Sequence, residues 1–185
     1  MTNHTSILDV GGTSRIWKQF GFTNNVTLLN LTPPRKQDLE LGFRVVQGDA
    51  LNMEMFRDRQ FDVVFSNSVI EHVGTYRNQQ VFASEVQRVG KSWWVQTPNR
   101  YFPIEPHFRF PLFQFLPLPV QRWIALRWNY SHPKSWGKEN EYILNEVASI
   151  RLMSVDELTG LFSGSELYRE RVFGLTKSLV VFSGR

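Results

Sequence analysis

Hydrophobic residues along this chain fall in short blocks, each closed by a turn-forming residue. The blocks are "SILDV" (6 to 10), "VTLLNL" (26 to 31), "FRVVQGD" (43 to 49), "FDVVFSN" (61 to 67) and "KSWWVQTP" (91 to 98), all rich in branched and aromatic side chains. Blocks this short, apolar throughout rather than alternating, have the pattern of strands buried on both faces, as in a parallel sheet. Between the fourth and fifth, "QQVFASEVQRVG" spaces Val81, Phe82, Val86 and Val89 at helical intervals. That spacing predicts a crossover helix with Gly90 as its C-terminal cap. Strand alternating with crossover predicts a doubly wound α/β domain. Further on, "SVDELTGLF" sets Glu157 three residues after Ser154, the spacing of a capping box at a helix start. "LYRERVFG" and "SLVVFSG" then follow as a tight pair and predict an antiparallel hairpin at the edge of the sheet.

Residues 99 to 150 break this rhythm. Prolines at 103, 106, 111, 117, 119 and 133 alternate with aromatics and with Arg100, Arg109, Arg122 and Arg127. Such a segment reads as an inserted lid on a single domain spanning 1 to 185. Within it, "LPVQRWIALRWNY" predicts one amphipathic helix.

Composition then narrows the chemistry. A chain of 185 residues, 42% hydrophobic, is long enough to bury one sizeable core. It contains no cysteine, which excludes disulfides, thiolate metal sites and cysteine nucleophiles. No basic leader with a long apolar run opens it and no later run is long enough to span a bilayer, so a soluble, cytoplasmic protein is expected. The net charge of +4 is compatible with an anionic partner without requiring one. His4, His72, His107 and His132 are scattered along the sequence with no paired metal-binding spacing, so no metal site is expected.

In open α/β sheets ligands bind at the carboxyl ends of the strands, where strand order reverses. The first strand here ends "LDVGGTS": an acid, Asp9, then paired glycines that let backbone amides approach a ligand, then a helix start that favours a negative group. Asn30 closes the second strand, twenty-one positions after Asp9, where such folds place a ribose-binding side chain. The third ends in "GDA", with Asp49 able to accept a hydrogen bond from an exocyclic amine. The fourth ends in "SNSVIEHV". Together the four ends suit one nucleoside-like ligand. A dinucleotide fingerprint starting at Gly11 would need glycines where Thr13 and Ile16 stand.

The ordered series "ILDVGGT", "VTLLNL", "VQGDA", "FDVVFSNSVIEHV" and "VQTPNRYFPIEPHF" resembles the class I S-adenosylmethionine-dependent methyltransferases of the type 11 group. The resemblance implies a Rossmann-like, seven-stranded sheet whose seventh strand runs antiparallel between the fifth and sixth. It implies S-adenosylmethionine as cofactor, with Asp9, Gly11, Gly12 and Thr13 forming the loop under its methionine part. Asn30 and Leu31 would face the ribose, Asp49 and Ala50 the adenine, and Ser66 or Asn67 the amino acid end. The chain departs from the pattern at Thr13, in place of a glycine, and at Asn30, in place of the usual acid. Its first strand begins at residue 6, without the helices the family usually places before it, which reads as a minimal or truncated form.

The stretch after the fourth strand has a blander reading too: Asn67 or Ser68 as helix cap with Glu71 in the first turn. Glu71 and His72, as neighbours on a helix, would then point apart rather than act as a pair. His72 and His107 are the two candidates for a general base, His107 standing after the fifth strand near Glu105. Methyl transfer itself asks chiefly for alignment of acceptor and methyl group, so no base is obligatory. The acceptor is expected to be a small molecule, a glycan or a lipid-linked compound. Nucleic acid is disfavoured, since cytosine C5 chemistry needs the absent cysteine and "SNSV" lacks the proline pair of base amine methylation. The Trp- and Arg-bearing helix of the insert would allow peripheral contact with an anionic membrane surface. The alternative reading is a degenerate, non-catalytic cofactor-binding or interaction domain.

Overall fold

The computed structural model describes residues 5–21, 25–128 and 140–183. The strands are β1 (Ile7–Val10), β2 (Val26–Asn30), β3 (Arg44–Gln47), β4 (Phe61–Asn67), β5 (Gly90–Pro98), β6 (Glu166–Val172) and β7 (Leu175–Phe182). They form one sheet in the order β3-β2-β1-β4-β5-β7-β6. The pairs from β3 to β5 are parallel, while β7 runs antiparallel to both β5 and β6. The expected mostly parallel sheet with its antiparallel edge hairpin is therefore present.

Apolar blocks become strands here because both faces of the sheet are covered. Leu8 and Val10 of β1 point into a large core with Phe82, Val86 and Val89 of helix α3 (Tyr76–Val89) and Leu158 of helix α6 (Val155–Leu161). Ile7 points the other way, into a smaller cluster with Val26, Leu28, Phe43 and Trp17 of helix α1 (Ser14–Gln19). The short helix α2 (Lys36–Glu40) links β2 to β3. Successive strand residues thus serve opposite layers, the period of two expected of a pleated strand.

Most local signals behave as expected, and the cap expected at Asn67 or Ser68 does not. Ser154 caps α6 in a complete capping box with Glu157. Phe82, Val86 and Val89 are buried on α3, whereas Val81 stays exposed. Gly90 is the C-cap residue of α3, its N–H donating to the Val86 carbonyl, and it takes an extended conformation that opens β5 directly. A methyl group there would meet the Ser92 carbonyl oxygen at 2.8 Å and Val64 Cγ2 at 2.7 Å, so the glycine makes room rather than a turn. Neither Asn67 nor Ser68 caps the following turn. Ser68 sits at φ 57 and its hydroxyl turns back to Gln96 Oε1 on β5, 2.9 Å away. The turn that follows is a single 3-10 turn, Ile70–His72, led by Val69 without any side-chain cap.

The segment after β5 carries helix α4 (Leu118–Arg127) and a helix that the sequence pattern did not reveal, α5 (Asn140–Ser149). These pack on each other around Phe108, Phe113, Ile124, Ala125 and Val147, a core separate from that of the sheet. His4, His132 and Pro133 lie outside the described residues. No helix among the described residues is long and apolar enough to cross a membrane.

Candidate active site

Strand order reverses between β1 and β4, and the carboxyl ends of β1, β2 and β3 open there onto a cavity of about 410 Å³. Gly11, Asn30, Leu31, Asp49, Ala50 and His72 are in its wall. Val69, Val73 and Leu51 supply an apolar side that sequence reasoning missed, because isolated valines and leucines carry no signal of function. Asp9, Gly12, Thr13, Ser66 and Asn67, which were expected at the ligand, do not line the cavity.

Their positions have a physical cause. Asp9 is 1% exposed, and one of its oxygens accepts the indole N–H of Trp17 at 2.6 Å. Trp17 in turn packs edge-on against Phe65, so the acid ties β1, α1 and β4 together beneath the loop. Its other oxygen is buried without a partner, and burial pushes the carboxyl up to about 7 although the Trp17 bond acts to lower it. Gly12 exists for this acid: a methyl group at that position would fall 1.6 Å from Asp9 Oδ2. Gly11 has φ 75 and faces Val69 Cγ2, which an added methyl would meet at 2.5 Å. The paired glycines are thus set by contacts within the protein as well as by any ligand. Thr13 leads α1 as its N-cap residue. Ser66 is fully buried, with its hydroxyl unpartnered, and Asn67 is exposed on the rim.

The polar groups that do reach the cavity are partly committed. Asn30 donates from its amide nitrogen to the Gly12 carbonyl at 3.1 Å, linking the second strand end to the glycine loop. Asp49 is exposed, one oxygen held by the Leu51 amide at 2.8 Å.

At the far side of the cavity the two histidines meet. His72 Nε2 and His107 Nε2 are 3.2 Å apart, and His107 Nδ1 is 2.6 Å from Glu105 Oε1. Glu105 is buried and its other oxygen accepts the Phe108 amide, so the insert's first turn holds His107 against the 3-10 turn. Glu71 is fully buried beside them and accepts the Thr97 hydroxyl at 2.8 Å. Its carboxyl is raised to about 7 by burial. Burial acts to lower His107, but the bond and charge of Glu105 outweigh it and the imidazole is raised overall.

Two expectations are corrected here. His72 and His107 are scattered in sequence but adjacent in space. Glu71 and His72 do not act on separate sides, for ligand atoms of Glu71, His72 and His107 all lie within 4.8 Å of one another. The two neighbours leave the 3-10 turn in different directions, Glu71 into the core and His72 to the surface, yet both side chains are long enough to bring their ligand atoms within 4.8 Å of each other and of His107.

Among the described residues, none of the segment from 99 to 150 lines the strand-end cavity. His107 of the segment meets the cavity wall at His72. A second cavity of about 250 Å³ lies on the other side of Glu105, bounded by Phe108, Phe113, Gln114, Arg100 and Arg151.

With this geometry in place, likeness to other proteins becomes informative. Residues 8–92, from β1 to the start of β5, match the methyltransferase domain family. A stretch of 60 residues is 37% identical to an uncharacterized protein of Mycobacterium tuberculosis, covering 32% of this chain and 20% of that relative. The match thus spans about a fifth of the curated relative's length. The fold as a whole superposes on an S-adenosylmethionine-dependent methyltransferase from Methanosarcina mazei, with TM-score 0.60 and 14% identity over 98% of this chain and 92% of that one. One from Thermotoga maritima gives TM-score 0.54 and 16% identity over 97% and 81%. Identities this low speak for the fold alone. The likeness to the methyltransferase domain family thus covers residues 8–92, and the fold as a whole is the class I methyltransferase fold.

Proposed function

We propose that the chain moves a methyl group from S-adenosylmethionine to an amphiphilic acceptor, a small molecule or a lipid-linked compound, that approaches from the side of the insert. The observation that carries this reading is the strand-end cavity at the point of strand reversal, with His72 in its wall and His107 behind it.

The residues present fit the cofactor. Gly11 keeps the first strand end narrow, so a ligand can lie close to the backbone. Asn30 has its amide nitrogen engaged by Gly12, which leaves the side-chain carbonyl oxygen to accept from a ribose hydroxyl. Asp49 uses one oxygen within its own turn, and the other has no partner among the described residues and can accept from an adenine amine. When bound, the cofactor supplies a methyl group already activated by its sulfonium. The protein's part is then to hold an acceptor in line with it and keep water out.

The insert supports the amphiphilic acceptor. Leu118, Val120, Leu126 and Trp128 of the α4 region are exposed, and Trp123 is 57% exposed with Arg127 stacked 4.9 Å above its ring. Arg122 is exposed on the same helix. Apolar and cationic side chains exposed on one helix suit the interface of an anionic lipid surface.

The test is transfer of labelled methyl from S-adenosylmethionine into a total lipid extract and, separately, into an aqueous metabolite extract. Label in the lipid fraction is the expected result. Label only in the aqueous fraction would remove the lipid-linked acceptor. Cofactor binding with no label in either would favour a binding domain without catalysis.

A further inference from the structure

Three side chains capable of ligating a metal, from two separate segments, converge at the edge of the strand-end cavity. The two Nε2 atoms of His72 and His107 are 3.2 Å apart with the rings nearly perpendicular, and a carboxylate oxygen of Glu71 lies within 4.8 Å of both. From these contacts we infer that Glu71, His72 and His107 form a binding site for a divalent first-row transition ion.

The spacing of the imidazoles is that of two ligand positions. Nitrogens held ~2.0–2.1 Å from a tetrahedral ion lie about 3.3–3.4 Å from one another. A proton shared between the rings also accounts for 3.2 Å, but it leaves Glu71 unexplained. That residue is fully buried; Oε2 takes the Thr97 hydroxyl, and Oε1 has no partner. A cation between the three residues answers this orphaned oxygen, which a histidine pair alone does not.

The surroundings of His107 point the same way. Glu105 holds its Nδ1 and is itself fixed by the Phe108 amide. A carboxylate behind one ring nitrogen sets the tautomer that leaves the other free to bind a metal, and raises its basicity. Charge agrees as well: Glu71 is 0% and Glu105 2% exposed, and among the described residues neither forms an ion pair with a lysine or arginine. Two imidazoles and a carboxylate favour Zn²⁺, Mn²⁺ or Co²⁺ over Mg²⁺ or Ca²⁺, which prefer oxygen throughout.

His72 is both a ligand and part of the cavity wall, so the remaining coordination positions open toward the cavity. An acceptor hydroxyl bound there would release its proton to water more readily, and its oxygen would bond to the methyl carbon as the carbon–sulfur bond breaks. That consequence rests on the methyl-transfer reading; the ion site itself does not.

The test uses the whole chain after treatment with a chelator, with Co²⁺ and Zn²⁺ as probes and no cofactor added. Wild type is expected to bind about one equivalent of Co²⁺, with visible absorption of a four- or five-coordinate site that Zn²⁺ bleaches. His72→Ala with His107→Ala, and separately Glu71→Gln, should weaken binding by about tenfold or more at an unchanged melting temperature. Glu71→Gln preserves the buried shape and keeps the test decisive should the histidine variants misfold. No uptake by folded wild type, or equal uptake by all variants, overturns the site. Ion binding without S-adenosylmethionine binding would keep the site and remove the methyl-transfer reading, and the opposite pattern would do the reverse.

Discussion

The sheet end and the insert handle their apolar residues in opposite ways. In β1 every residue is at most 1% exposed, and even the acid at its end is spent on holding the glycine loop to α1. In the insert, Phe108, Phe113 and Val147 form a small core while Leu112, Phe115, Leu118 and Trp123 remain in solvent. The first region is closed off from solvent, and Asp9 is tied to Trp17 within it although its other oxygen and the nearby Ser66 hydroxyl are left without partners. The second has surface to spare for something else. On the proposed reading the cofactor site falls in the first and the acceptor surface in the second, with the pair His72 and His107 at the boundary.

The contrast can be broken hardest at Gly12. Gly12→Ala would drive a methyl group into the Asp9 carboxylate and force it off Trp17. The expected cost is ~1–3 kcal/mol of stability by urea unfolding, together with loss of cofactor binding. A variant of unchanged stability would show that the acid is not fixed as described.

Asp9 also sets a pH dependence. Its folded-state pKa of about 7 lies above the ordinary 3.8, so between those values the folded state holds a proton that the unfolded state has released. Stability should therefore fall as pH rises from about 4 to about 7 and level off above. Asp9→Asn should flatten that part of the curve in chemical denaturation followed across pH. A wild-type profile that rises through the same window would contradict the buried, neutral acid.

The smallest effect on the fold is expected in the insert. Trp123→Ser should leave stability within ~0.5 kcal/mol, since the ring is largely exposed, and leave cofactor affinity unchanged. Its cosedimentation with anionic vesicles should fall several-fold. A large loss of stability would show that the ring is structural.

The sheet was legible in the sequence because its central strands, β1 and β2 above all, are buried and so leave short, mostly apolar blocks. The capping box at Ser154 was legible because it depends on two residues at a fixed spacing. What escaped depends on contacts between distant segments. Gly12 looks like a ligand glycine in sequence, yet its neighbour is Asp9. Ser68 looks like a helix cap, yet its hydroxyl bonds to Gln96 on the adjacent strand. His72 and His107 are 35 positions apart, and only the turn built around Glu105 brings them together.

The central claim is that the strand-end cavity holds S-adenosylmethionine, and calorimetric titration of wild type and Asp49→Ala tests it most directly. Asp49 is exposed, so its removal should leave the melting temperature unchanged while weakening cofactor binding by ~1.5–3 kcal/mol, the range for a hydrogen bond to a charged group. No binding by the folded wild type, or equal affinity in the two proteins, would contradict it.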